Sequence, residues 1–109
     1  MTSSLRIVFH GMDHSDAVHD RIVSEIQKLE KFNARITSGR VTVEAPHHHK
    51  RKGSLYGIAI VLDLPGSELV VNSSRANNPD HKDIYIAIRD AFATLTRRVT
   101  ELSDRQHAH

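Results

Sequence analysis

The densest concentration of reactive side chains in this sequence is Pro46 to Gly53, PHHHKRKG, in which His47 to Lys52 are all basic or become so in mild acid. Three neighbouring histidines suggest metal chemistry, but adjacent side chains in an extended loop diverge, and the i,i+2 or i,i+4 spacing of a ligand pair is missing. The loop reads instead as a phosphate-seeking arm or a solvated turn, with no metal site. Two pairs, His10 with Asp13 and His81 with Asp83, have the types of a general base and its orienter. Turn and capping chemistry accounts for both more simply. With no cysteine, no glycine-rich phosphate loop and no serine in an elbow context, the sequence predicts a protein that is not an enzyme and needs no cofactor or small-molecule substrate.

The remaining cations lie on segments with helical period. From Asp80 to Leu102, Ile84, Ile88, Ala91, Leu95, Val99 and Leu102 recur at steps of three and four, one stripe on a helix turning about 100° per residue. Lys82, Arg89 and Arg97 fall on the far side of that stripe, and Asp80 is placed to cap the helix. An earlier helix is predicted from about Asp16 to Phe32, with Ser15 as its N-cap and Val18, Ile22, Ile26, Leu29 and Phe32 as its apolar stripe. Arg21, Lys28 and Lys31 gather on one flank of it.

Between and before the helices the period changes to two. Leu5 to His10, Arg40 to Ala45, Tyr56 to Leu64 and Glu68 to Ser73 alternate as half-buried strands, and Pro65-Gly66 marks a tight turn between the last two. The expected fold is α+β in the order β-α-β-β-β-α. A crossover helix makes the first two strands parallel, and short connections make the rest a meander. Each strand has one strongly apolar face, so both helices should cover the same side of the four-stranded sheet. The opposite face, with Arg6, Thr42, Glu44 and Asp63 among Val8, Ala59, Val61 and Val70, is mixed enough to meet water and to support at most a weak homodimer.

At 109 residues the chain is sized for one domain burying about 60 to 70% of its unfolded surface. No opening stretch resembles a signal peptide and no apolar run has the length of a membrane span, so a cytoplasmic protein without a membrane partner is expected. Net charge is only +2, and its distribution carries more information than its size. If the helices lie side by side, Arg21, Lys28 and Lys31 can border a common surface with Lys82, Arg89 and Arg97, extended by Arg75 and by Lys50, Arg51 and Lys52. Such a surface suits a phosphate backbone, where each neutralised phosphate releases counterions. Three Phe and two Tyr, none interleaved with the basic loop, make base stacking the less obvious mode, and shape recognition of folded RNA the better fit.

Leu29 to Phe32 (LEKF), the ITSGRVTVE strand, HKRKGSLY before the third strand, PGSELVV from Pro65 to Val71, and DIYIAIRDAF from Asp83 to Phe92 resemble, in order, the ribosome hibernation promoting factor family, also called ribosome-associated inhibitors or sigma-54 modulation proteins. The resemblance implies a domain shaped like double-stranded RNA-binding domains, spanning residues 1–104 with a short tail at 105–109. It further implies binding to small-subunit rRNA near the decoding centre, where the domain overlaps the tRNA and mRNA sites and silences the ribosome in stationary phase or stress. By position, Lys28 and Lys31 match basic residues of the family's first helix and Arg97 one of its last. Glu25 and Thr94 stand where similar proteins often carry a cation, whereas Arg89 and the PHHHKRKG loop add charge that many lack. The chain looks like a short form. The alternative is a protein-interaction module acting on a transcription factor, which the family's older name suggests.

Overall fold

The computed structural model describes residues 4–31, 35–46, 55–73 and 79–107. Alternating residues form β1 (Ser4–His10), β2 (Ser38–Glu44), β3 (Gly57–Leu64) and β4 (Ser67–Asn72), while α1 (Asp16–Lys31) follows β1 and α2 (Ile84–His107) ends the chain. The sheet order is β1-β2-β3-β4, with β1 parallel to β2 across the helical crossover and the other neighbours antiparallel, β3 and β4 being joined by a two-residue turn.

Local chemistry explains the boundaries. Ser15 Oγ accepts from the Val18 amide at 3.3 Å and starts α1. Pro65 and Gly66 turn β3 back into β4, and Gly66 has φ 75°, the left-handed value that the third residue of such a turn needs. Gly39 answers a different demand: a Cβ there would lie 3.3 Å from one Leu62 methyl and 3.5 Å from a Leu5 methyl, a tight fit that the Leu62 side chain would have to relieve by a shift of a few tenths of an ångström.

The start of the last helix differs from expectation. Pro79–Lys82 form a single 3₁₀ turn, and the cap of α2 is Asp83, whose Oδ1 accepts from the Tyr85 amide at 2.9 Å while its carbonyl accepts from Ala87. Asp80 sits one turn earlier, where its carbonyl accepts from the Asp83 amide. Both acids have cap chemistry, and which of them caps is decided by tertiary docking of the 3₁₀ turn. At its other end α2 runs past Leu102, the last residue of the apolar stripe, to His107.

One core lies between the sheet and the two helices. Val18, Ile22, Ile26 and Leu29 of α1 and Ile88, Ala91, Leu95 and Val99 of α2 meet Val41, Val43, Ile58, Ile60, Leu62 and Val71 of the sheet. Full burial of an Ile or Leu such as those on β3 is worth about 1.5–3 kcal/mol, which sets the register and commits both helices to the same face. Ile36, Ala87 and Phe92 join this core without having been singled out by the stripes, and Phe32 lies outside the described residues. No helix among the described residues is long and apolar enough to cross a membrane.

Candidate nucleic-acid interface

Each helix follows a strand running in the same sense, so α1 and α2 are parallel. A contact near their beginnings fixes how they face each other: Arg21, in the second turn of α1, sets its guanidinium over the Tyr85 ring in the first turn of α2, 6.0 Å from the centroid. That contact turns the Arg21 and Lys28 flank of α1 toward α2. Arg89 comes one helical turn after Tyr85 and therefore stands on the side of α2 that faces α1. Lys28 and Arg89 are each 63% exposed. Lys31 and Lys82 are also exposed, at the end of α1 and in the 3₁₀ turn. Arg97 is 68% exposed but lies about a third of a turn around α2 from Tyr85, on its outward side.

Six of the ten expected cations are thus described, and Arg21, Lys28 and Arg89 are the ones brought to a common margin. Lys50, Arg51, Lys52 and Arg75 lie outside the described residues, as do His47, His48 and His49. Among the described residues no three of His, Cys, Asp and Glu are grouped as metal ligands would be.

The acids are not segregated from these cations. Glu25 accepts from Arg21 Nε at 3.1 Å and from Lys28 Nζ at 3.4 Å, Arg89 reaches Asp90 at 3.2 Å, and Arg97 approaches Glu101 at 3.9 Å. Lys28, Arg89 and Arg97 are exposed in these pairs, which are worth at most about 1 kcal/mol each, so a phosphate can compete for those cations at little cost. Two cations on one carboxylate leave the α1 flank positive.

The far side of α2 is built differently. His81 is 3% exposed and Asp90 Oδ2 accepts from its Nε2 at 2.8 Å, since an ionised carboxylate can only accept. His81 Nδ1 is buried and finds no hydrogen-bond partner among the described residues. The His81 carbonyl accepts from the Tyr56 amide at 2.9 Å, tying the 3₁₀ turn to the entry of β3. Asp83 has the capping role expected of it, and His81 pairs with Asp90, nine residues on. No hydrogen bond joins His10 to Asp13 among the described residues. The His81 hydrogen bond is the main cause holding the Asp90 carboxyl below the usual aspartate range; burial opposes it and the Arg89 guanidinium assists. Arg98, absent from the expected set, donates to the Val70 carbonyl at the edge of the sheet. An open cleft of about 350 Å³ between α2 and β4 is lined by Ser73, His81, Asp90, Thr94 and Arg98. Ser73 Oγ is engaged there with the backbone of Ile58, donating to its carbonyl at 3.1 Å and accepting from its amide at 3.2 Å.

Strand order, the parallel first pair and two co-directional helices on one sheet face define a β-α-β-β-β-α domain of the α+β class. More narrowly, the family described as Sigma 54 modulation protein / S30EA ribosomal protein matches residues 5–107, and the chain belongs to it. A ribosome hibernation promoting factor of Azotobacter vinelandii is 28% identical over 97 residues, covering 89% of this chain and 79% of that protein. Two solved structures share the fold with TM-scores of 0.70. They are the Protein Y N-terminal domain of Thermus thermophilus, 19% identical over 92% of this chain and 98% of that one, and a ribosomal subunit interface protein from Coxiella burnetii, 14% identical over 93% and 98%.

Proposed function

We propose that this chain is a ribosome hibernation factor, which binds small-subunit rRNA near the decoding centre and inhibits translation by occupying the tRNA and mRNA sites under stress or in stationary phase. The observation that carries the reading is the Arg21–Tyr85 contact, which aligns the cations of α1 with the α1-facing side of α2. The family supports it, as does the name of the Azotobacter vinelandii relative. The mechanism needs no bond chemistry, only a shape that fits folded RNA and a favourable release of counterions. On this reading the partner is the small ribosomal subunit and the compartment is the cytoplasm. The alternative, an apolar protein interface acting on a transcription factor, is not favoured by the outer sheet face, where Arg6, Arg40, Asp63 and Glu68 interrupt Val8, Val61 and Val70.

Sedimentation with small subunits and whole ribosomes at two salt concentrations tests this directly. Binding should weaken steeply with salt, and replacing Lys28, Lys31, Arg89 and Arg97 with glutamate should abolish it without unfolding the protein. Replacing Lys50, Arg51 and Lys52 should cost less. Binding indifferent to salt, or retained by the helix variant, removes the cationic-face reading.

A further inference from the structure

Tyr85 is anomalous for its position. It is 39% exposed, one of two large apolar side chains left open among the described residues, and the other, Val70, is on the opposite face of the sheet. Its backbone amide is satisfied by Asp83, and the neighbouring Ile84, Ala87 and Ile88 carry the burial of this end of α2, so the ring is not needed to cap the helix or to fill the core. The cation over the ring is Arg21, its guanidinium carbon 6.0 Å from the centroid and its Nε held by Glu25. A half-open phenol ring backed by a planar cation, with Lys28 and Arg89 along the same margin, combines a π surface with phosphate-binding charge. Proteins that hold unpaired nucleotides use this combination, because every base offers a face to stack on while the cations track its backbone.

We propose that Tyr85 is a stacking platform for one unpaired RNA base, with Arg21 as its positioning residue, so that the helical face reads a splayed-out nucleotide as well as phosphates. This rests on the reading of that face as the ribosome-binding one and deepens it: the target is a junction, bulge or single-stranded end lying beside a helix, and not a continuous duplex. It also revises the expectation from composition that stacking is the less obvious mode, since Tyr85 stands open on α2 beside Arg21.

The chain has no Trp and two Tyr, so a Tyr56→Phe protein reports on Tyr85 alone by its intrinsic fluorescence. An unpaired hexaribonucleotide should quench that emission at low salt, while the same strand annealed into a duplex should not. In ribosome sedimentation, Tyr85→Leu should lower affinity roughly tenfold with the salt dependence unchanged, because stacking neutralises no phosphate, and Tyr85→Phe should restore binding. Melting temperatures for both variants separate a binding loss from a loosened helix end. Equal quenching by strand and duplex, or no quenching by either, overturns the stacking role. So does a Tyr85→Leu protein that binds ribosomes as tightly as the parent. Failure of the parent itself to bind ribosomes falls on the ribosome reading, and the oligonucleotide result still decides for or against the platform.

Discussion

The two long sides of α2 use the same residue types for opposite ends. Toward α1, Arg89 stands beside Tyr85 with most of its side chain in water. Toward β4, Arg98 gives its guanidinium to a backbone carbonyl and His81 is sealed under the helix against Asp90. Asp90 is where the sides meet, one carboxylate oxygen holding the buried histidine and the other accepting from Arg89. One side is therefore fastened and the other left free to exchange its partners. A count of charges along the helix cannot tell them apart, because the distinction lies in what each group faces across the sheet.

Asp90→Ala should give the largest effect on this contrast, since it strands the buried His81 ring. We expect a stability loss of about 1–3 kcal/mol in urea titration. Next, Arg89→Gln should lower ribosome affinity roughly tenfold and reduce the slope of log affinity against log salt by about one, with little change in melting temperature. An Arg89 variant that unfolds early, or an Asp90 variant that folds as well as the parent, erases the division between the two sides. Acid sharpens it further. Because the folded state holds the Asp90 carboxyl below its unfolded value, that group contributes stability above the unfolded pKa which disappears as pH falls through the folded one. Unfolding followed from about pH 5 downward should show this loss in the parent, and Asp90→Asn should flatten it. The smallest change is expected from Arg98→Gln, which removes an exposed bond to Val70 and should cost about 0.5–1 kcal/mol with ribosome binding intact.

Most of the architecture was legible from periodicity. The alternation of Leu5, Ile7 and Phe9 and the stripe from Val18 to Leu29 each had one solution, because exposing either would forfeit the burial that the opposed surface offers. The Pro65-Gly66 turn and the Ser15 cap followed from local chemistry alone. What escaped was decided at a distance. His81 lies nine residues from Asp90 in the chain and reaches it because the 3₁₀ turn folds back on α2, while Asp83 is taken up in local capping. For the candidate interface, the spacing of Arg21, Lys28 and Arg89 was visible, but which flank of α1 meets α2 depends on the Tyr85 ring, a side chain outside both cationic patterns. Arg97 was included for its charge, and it lies away from that margin.

Strand β4 is one of the two borders of the sheet, and borders of this kind invite a strand from another molecule to continue the ladder. Arg98 occupies the Val70 carbonyl, an acceptor that an incoming strand would require, and so acts as a stopper against end-on growth. Growth into ribbons at that border would first have to displace a guanidinium, so a cation outside the Arg21–Arg89 margin bears on whether the molecules stay apart.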